Sequence, residues 1–288
     1  MAERLDAIEA RIKSVGQLSS VVGAMRAIAA TRLQEAAGRL AGVQSYAGTV
    51  GAAIAQALAL LPTAPRLAGE DEAQSRTVIA FGSEHGFVGA FNTKVLNAAT
   101  ALLEAPGDRH TELVIVGDRA LAAARERAFD PAWSLPMAAH IDETSTLANR
   151  LADNLFNRLS GRPGTELYIV HQLPAESGEA QRTVNRRLLP FDFLRFHEVR
   201  SSAPPLIQIS APDLLARLVD EYVFAELGEA AVMSFAAENE ARMLAMAAAR
   251  NNIAQRHDTL IAEARRLRQE QITEEVVELA AGSQAGRH

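Results

Sequence analysis

Residues 213–246 read DLLARLVDEYVFAELGEAAVMSFAAENEARMLAM, a segment whose apolar side chains keep to one side of an α-helix. These side chains are Leu214, Leu218, Tyr222, Ala225, Val232, Phe235, Met243 and Met246. The pattern continues to Leu279, and Asp213 directly after Pro212 is a suitable helix start. The sequence therefore predicts a helix over residues 213–288, on the order of 100 Å long at 1.5 Å per residue.

The amino-terminal segment has a matching pattern and predicts a second long helix over residues 1–61. Its apolar stripe consists of Leu5, Ile8, Ile12, Val15, Leu18, Val22, Met25 and Ile28. All eleven prolines lie between Pro62 and Pro212, so neither end contains the strongest helix breaker. No globular core in a chain of 288 residues could cover two such helices. We expect them to pack on each other as a long antiparallel coiled coil, or inside another protein.

The middle of the chain alternates between strand-like and helical patterns. Strands are predicted at residues 77–81, 113–116, 166–170 and 182–189, and helices at about 91–103, 119–128 and 143–159. This alternation predicts a mostly parallel sheet covered on both faces, in a Rossmann-like α/β domain. The predicted domains are a coiled-coil helix (1–61), an inserted α/β domain (62–212) and a returning coiled-coil helix (213–288).

An antiparallel pair that closes near residues 59 and 213 places Arg11 level with residue 261. Residues 272–288 then extend past the amino terminus without a partner in the chain. An isolated exposed helix of that length is marginal in water. Its apolar residues Ile272, Val276 and Leu279 are therefore expected to contact another protein.

Basic residues concentrate in two stretches of the predicted helices. Residues 11–39 hold five basic residues, including Arg32, against one acid, and residues 242–268 hold six arginines, including Arg256, against two acids. The register brings these stretches side by side as a basic collar on a chain of net charge −6. A positively charged collar predicts an acidic partner that contacts this part of the two helices.

The composition excludes several classes of protein and site. The net charge of −6 argues against a general nucleic-acid binder. The absence of cysteine excludes disulfides and thiolate sites, and the seven histidines lack paired metal-ligand spacing. The charged start MAERLD is unlike a signal peptide, and the longest mostly apolar stretch, residues 50–61, is too short to span a bilayer. These features predict a cytoplasmic protein that reaches a membrane only through partners.

Three glycines of the middle segment invite comparison with a phosphate-binding loop. Gly82, Gly86 and Gly89 have neither G-x-G-x-x-G nor G-x-x-x-x-G-K-S/T spacing. They predict a tight strand-to-helix turn instead. No catalytic residue, metal or cofactor is expected in this chain.

Several blocks of the sequence together carry a family resemblance. They are residues 11–15 (RIKSV), 24–32 (AMRAIAATR), 82–92 (GSEHGFVGAFN), 240–246 (EARMLAM), Asn252, Arg268, Gln269 and 272–275 (ITEE). In these blocks the chain resembles the γ subunits of F-type ATP synthases. It departs from the family pattern at His85, at Arg32 and at residues 18–23 (LSSVVG), where a lysine-rich run is usual. These departures suggest a divergent ion-translocating branch and leave the coupling ion open between proton and sodium.

The resemblance implies a rotating central stalk without catalytic activity. It implies a coiled coil turning inside a ring of three α and three β subunits, with the ε subunit as a further partner and the α/β domain as a foot on the membrane rotor ring. Ion flow would then be coupled to ATP synthesis or hydrolysis at the cytoplasmic face of the cell membrane. The residues matching ring-contact positions are Met25, Arg242, Arg268, Gln269 and Thr273, and the collar adds Arg32 and Arg256.

A rotor-ring contact is expected just before the last helix. Leu206, Ile207, Gln208 and Ile209 follow Pro204-Pro205 and lie near the segment that the resemblance assigns to the ring. Two other classes of function stay open from sequence alone. One is a coiled-coil scaffold, which would self-associate through its helices, and the other is a nucleotide-dependent enzyme built on the α/β domain.

Overall fold

The computed structural model describes residues 2–61, 74–106, 109–159, 164–175, 179–196 and 206–285, with side chains described from residue 4 to residue 277 of these ranges. The helices are α1 (Ala2–Ala59), α2 (Phe91–Leu103), α3 (Asp118–Glu126), α4 (Thr144–Leu159) and α5 (Ala211–Ala285). The strands are β1 (Ser75–Phe81), β2 (His110–Val116), β3 (Trp133–Leu135), β4 (Thr165–Leu173) and β5 (Arg182–Leu189). Mixed α/β architecture with two long terminal helices was predicted from the sequence and is confirmed.

The strands form one sheet in the order β3-β2-β1-β4-β5. All neighbouring pairs are parallel except β4 and β5, which are antiparallel. In register, Ile79 of β1 lies opposite Val114 of β2 and Ile169 of β4. The mostly parallel sheet is therefore confirmed. β3 was not predicted, because three residues are too few to give a periodic pattern.

Alternate residues of the central strands face opposite sides of the sheet, as the pleat requires. Ile79 and Phe81 pack with α4 and α5, in a core that includes Leu151, Leu227 and Phe235. On the other face, Val78, Ala80 and Ile115 pack with Phe91 and Val95 of α2 and Ala120 of α3. Helices thus cover both faces of the sheet, and α5 supplies much of one layer.

The chain divides into two compact units. The first consists of Met1–Ile28 with Met243–His288, and the second is Ala29–Arg242. The boundaries between units fall inside α1 and α5, whereas the predicted domain boundaries follow the ends of these helices. The three-domain division predicted from the sequence stays a prediction.

The first unit is an antiparallel helix pair. Ile8 of α1 packs with Leu260 and Leu267 of α5. Beyond this core, Arg268 donates to Glu9 at 2.5 Å. In the second unit, the Gln44 amide donates to Glu229 at 3.3 Å. The antiparallel register predicted from the sequence is therefore met within about five residues, roughly one helical turn.

An aromatic cluster joins the end of α1 to the start of α5 in the second unit. The rings of Phe191 and Phe196 are stacked with centroids 5.5 Å apart, and Tyr222 meets Phe196 edge-on at 5.1 Å. Ile54 of α1 is buried in the same cluster. A Cβ added to Gly51 would lie only 3.0 Å from the Phe196 ring, so a glycine allows this close approach.

Candidate functional site

The crevice at the carboxyl ends of the parallel strands is where α/β sheets commonly bind ligands. Such crevices form where successive connections leave the sheet in opposite directions. Here β2 flanks β1 on one side and β4 flanks it on the other, so this point lies between β1 and β4. The loop of residues 82–90 after β1 and the residues after β4 line it.

The loop after β1 begins with a tight turn. A Cβ on Gly82 would lie 2.1 Å from the Ala120 Cβ, and one on Gly117 would lie 2.6 Å from the Ser83 carbonyl oxygen. Gly117 also has a φ of 108°, which favours glycine. The Ser83 N–H donates to Asn92 Oδ1 at 2.9 Å, and Asn92 Nδ2 donates to Ser83 Oγ at 2.9 Å. The strand-to-helix turn predicted from the glycines is confirmed.

Carboxylates of the chain accept from backbone N–H groups at the carboxyl ends of several strands, on the loop after β1 and at the residues that follow β2 and β3. The N–H groups of Glu84 and His85 donate to Glu238 of α5 at 3.1 and 3.2 Å. The Glu84 carboxylate accepts from the N–H groups of Asp118 and Met137 at 3.2 and 2.7 Å. Backbone N–H groups at such loops and helix starts are the groups that bind phosphates in nucleotide sites. In this chain they are satisfied internally.

α5 also closes the β4 side of the crevice. The Ala175 N–H donates to Glu240 at 2.8 Å, and Gln181 Nε2 donates to the Ala237 carbonyl at 2.7 Å. Below them, Gln172 Nε2 donates to the Phe91 carbonyl at 2.9 Å. This arrangement was not predicted, because Glu238 and Glu240 bind partners more than fifty residues away along the chain.

Arg242 lies in the same buried region and is only 6% exposed. It pairs with Glu238, and its Nε and Nη2 donate to the carbonyls of Gly86 and His85 at 3.2 and 3.3 Å. Its Nη1 donates to Asn239 Oδ1 at 3.1 Å. The structure therefore gives Arg242 contacts inside the chain, while its predicted role at the subunit ring stays a prediction.

The predicted ring contacts that lie in the first unit differ in exposure. Met25 is half-buried, whereas Arg256 and Gln269 are exposed. Arg268 is exposed and paired with Glu9, and the Thr273 hydroxyl donates to the Gln269 carbonyl at 2.8 Å. These side chains are not gathered into a pocket. They lie along two helices, and their predicted contact with the subunit ring stays a prediction.

Arg32 belongs to the second unit and is half-buried. Hydrogen bonds from the N–H groups of Ala139 and His140 lower the pKa of Glu143, and the charge of Arg32 contributes in the same direction. Arg32 thus acts electrostatically on Glu143, the residue directly before α4. Its predicted contact with a ring subunit stays a prediction.

The predicted rotor-ring contacts are all exposed in the second unit. Leu206 is completely exposed, and Ile207 and Ile209 are each 39% exposed, with Gln208 between them. Leu194 is a further exposed apolar side chain, at 83%. A contiguous exposed apolar patch, rather than a single exposed side chain, is characteristic of surfaces that contact other molecules. The preceding Pro204-Pro205 lies outside the described residues.

Comparison with known proteins identifies the family. Residues 4–285 match the sequence profile of a family described as ATP synthase. The ATP synthase gamma chain of Streptomyces avermitilis is 30% identical, over 99% of this chain and 97% of the relative. The chain belongs to the ATP synthase gamma chain family. A further family member, from Rubrobacter xylanophilus, is 29% identical over 96% of this chain and 97% of its own length.

Solved structures agree on the fold of this family member. One similar chain comes from a structure of OSCP, F1 and c-ring of the mitochondrial ATP synthase of Euglena gracilis. It is 15% identical with a TM-score of 0.70, and the match covers 99% of this chain and 95% of that chain. A second comes from the central stalk and c-ring of the mitochondrial ATP synthase of Tetrahymena thermophila. It is 17% identical with a TM-score of 0.56, and the match covers 80% of this chain and 99% of that chain. As a gamma chain family member, the protein is part of the ATP synthase enzyme complex.

Two further features of the described residues bear on function. None of the described helices has a stretch long and apolar enough to cross a membrane. Within the same residues, no group of three or more histidine, aspartate or glutamate side chains is arranged to hold a metal ion.

Proposed function

We propose that this chain is the rotating central stalk of an F-type ATP synthase and has no catalytic site of its own. The observation that carries the proposal is the antiparallel helix pair of the first unit, in a chain of the gamma chain family. Its apolar core ends at Leu267, yet α5 continues to Ala285. Ile272, Val276 and Val277 on this continuation are 54–60% exposed.

A surrounding ring of subunits accounts for these exposed side chains. Burying apolar side chains stabilises by roughly 1.5–3 kcal/mol each. Three such residues would hold a helical extension that is otherwise marginal in water. Apolar contacts are weakly directional, so they permit a shaft to turn within a sleeve. Three α and three β subunits form this sleeve, and Met25, Arg256, Arg268, Gln269 and Thr273 contact it.

The lack of catalytic activity is supported by the crevice of the sheet. Backbone donors of the loop after β1 are taken by Glu238, those after β2 and β3 are taken by Glu84, and the buried Arg242 is paired with Glu238. A nucleotide phosphate would have to displace two carboxylates that are held by several hydrogen bonds. The chain therefore transmits torque, and ATP chemistry takes place on other subunits.

The sheet-containing unit is proposed as the foot on the membrane rotor ring. Leu206, Ile207, Gln208 and Ile209 supply an exposed, mainly apolar contact for this purpose. The ε subunit is a further partner, and the chain reaches the cytoplasmic face of the cell membrane only through the complex. A cysteine at Ile207 is expected to crosslink to the polar loop of the ring subunit. Crosslinking only to α or β would reject this contact.

Co-purification tests the proposal against its rivals. The full-length chain, tagged and expressed with its partner subunits, is expected to be recovered with α and β in a ratio of 1:3:3. A coiled-coil scaffold would instead self-associate in their absence. A nucleotide-dependent enzyme would bind ATP as the isolated chain, which calorimetry would detect at micromolar affinity.

A further inference from the structure

Glu238 is a carboxylate buried at the junction of α5 and the loop after β1. It is 3% exposed. One of its oxygens accepts from the Glu84 N–H at 3.1 Å, and the other accepts from the His85 N–H at 3.2 Å and from Arg242. Two consecutive backbone N–H groups and a guanidinium around one carboxylate constitute an anion-binding site.

Arg242 is oriented for this role by the same loop. A guanidinium presents its donors in a rigid, planar fork. Two donors bind the Gly86 and His85 carbonyls, and a third binds Asn239, whose own amide donates to the Phe235 carbonyl at 2.8 Å. The loop is thus held to α5 through both its N–H and its C=O groups.

We propose that Glu238 is a built-in anionic ligand, which fills the anion site of the sheet from within the chain. It acts as a positioning residue that fastens the loop after β1, and with it the sheet, to α5. The site lies at the crevice where related sheets receive phosphate groups. In this chain the anion is covalently part of the helix, so the junction cannot be released by loss of a ligand.

Removal of the carboxylate creates a specific defect. In Glu238→Ala, the part-buried N–H groups of Glu84 and His85 and the buried Arg242 guanidinium lose their acceptor, which is costly where water cannot replace it. The substitution also leaves a space of the size of a carboxylate and one methylene group. Acetate has this shape and charge, and it is therefore the probe that should enter the site.

The test is thermal unfolding of the full-length chain in acetate and in chloride at equal ionic strength. Glu238→Ala is expected to lower the unfolding midpoint by several degrees in chloride, and acetate is expected to restore part of the loss. The wild type should respond equally to both salts. If Glu238→Ala cannot be recovered folded from cells, the yield of refolding in acetate relative to chloride replaces the midpoint as the readout.

Two further variants separate an anion site from a general loss of packing. Leu227→Ala leaves an apolar cavity on the same helix, where Leu227 is fully buried, and acetate should not restore it. Glu238→Gln keeps the shape and leaves no space, so it should be destabilised without a response to acetate. An equal acetate effect in Leu227→Ala, or no difference between acetate and chloride in Glu238→Ala, would overturn the proposal.

The consequence for rotation rests on the proposed function and is measured separately. In the assembled complex, Glu238→Ala is expected to lower the ratio of ion pumping to ATP hydrolysis, and acetate should raise it again. Acetate rescue of the isolated chain without any change in this ratio would retain the anion site and reject its role in transmitting torque. If acetate rescues neither the stability of the isolated chain nor the ratio in the complex, both the anion site and its role in transmitting torque are rejected.

Discussion

His171 is a buried titratable side chain of β4. It is 3% exposed, and its Nδ1 lies 3.3 Å from the Gln172 carbonyl oxygen. Burial lowers the pKa of His171 from 6.5 to about 4, and the nearby charge of Arg186 acts in the same direction. The folded chain therefore keeps this imidazole neutral at pH values where the unfolded chain protonates it.

The first prediction concerns this imidazole and acid stability. Between the unfolded pKa of 6.5 and the folded pKa of about 4, only the unfolded state binds the proton, so stability falls as pH falls. Between about pH 7 and about pH 5 the wild type should lose roughly 2 kcal/mol more than His171→Gln. Urea unfolding at both pH values measures the difference. Equal losses in the two proteins would contradict the buried neutral imidazole.

At the scale of residues, sequence reasoning identified the turn after β1 but not the groups that hold it. The spacing of Gly82, Gly86 and Gly89 is local, so it could exclude a phosphate loop. The pairing of Glu84 and His85 with Glu238 joins residues more than 150 positions apart. Arg242 could be recognised by its family position, whereas its burial depends on that same long-range contact.

At the scale of elements, the helix pair of the first unit is incompletely packed along part of its length. Residues 15–23 of α1 and 250–258 of α5 border a groove of about 540 Å³. The α1 side of the groove is lined by small residues, including Gly16, Ser19 and Gly23. Leu18, which the sequence analysis included in the coiled-coil stripe, is 51% exposed. Apolar side chains spaced three and four residues apart did not show which of two adjacent faces of α1 packs against α5.

The second prediction uses the glycines of α1. A Cβ added at Gly16 or Gly23 would meet no atom within 4 Å, so alanine should stabilise the helix by about 0.5–1 kcal/mol at each position. Gly51→Ala is the matched control on the same helix, because its Cβ would press on the Phe196 ring. Urea unfolding should show a gain for the first two variants and none for the third. A comparable gain for Gly51→Ala would contradict the aromatic packing.

Element type was predictable where patterns are long and was not where they are short. The two terminal helices, the three central strands and β5 all follow from periodicity or composition. β3 could not be predicted from sequence, because its three residues form a strand only through pairing with Val114, Ile115 and Val116 of β2. The order of strands in the sheet depends likewise on long-range contacts.

At the scale of the whole molecule, the end of α5 should change its accessibility on assembly. The third prediction is that trypsin cleaves the isolated chain after the exposed Arg265, Arg266 and Arg268, and that the assembled complex protects these bonds. The sleeve of subunits covers them in the complex. Mass spectrometry of timed digests measures the rates. Equal cleavage in the free and assembled chain would mean that no partner surrounds this helix.

The fourth prediction concerns the basic collar. Arg32→Glu combined with Arg256→Glu should weaken assembly or coupling if an acidic partner faces these side chains. The defect should vary with salt, since the Debye length falls from about 10 Å at 0.1 M to about 3 Å at 1 M. Arg125→Glu with Arg150→Glu, both exposed and outside the collar, is the control. Wild-type coupling in the collar variant would identify these arginines as ordinary solvated residues.

Rotation itself is the most direct measurement. The chain contains no cysteine, so Leu194→Cys introduces a unique attachment point on a side chain that is 83% exposed. A bead fixed there, with the ring of α and β subunits immobilised on a surface, is expected to turn in one direction when ATP is added and to stop when ATP is removed. A bead that stays still while the same complexes hydrolyse ATP would contradict the assignment of this chain as the rotating stalk.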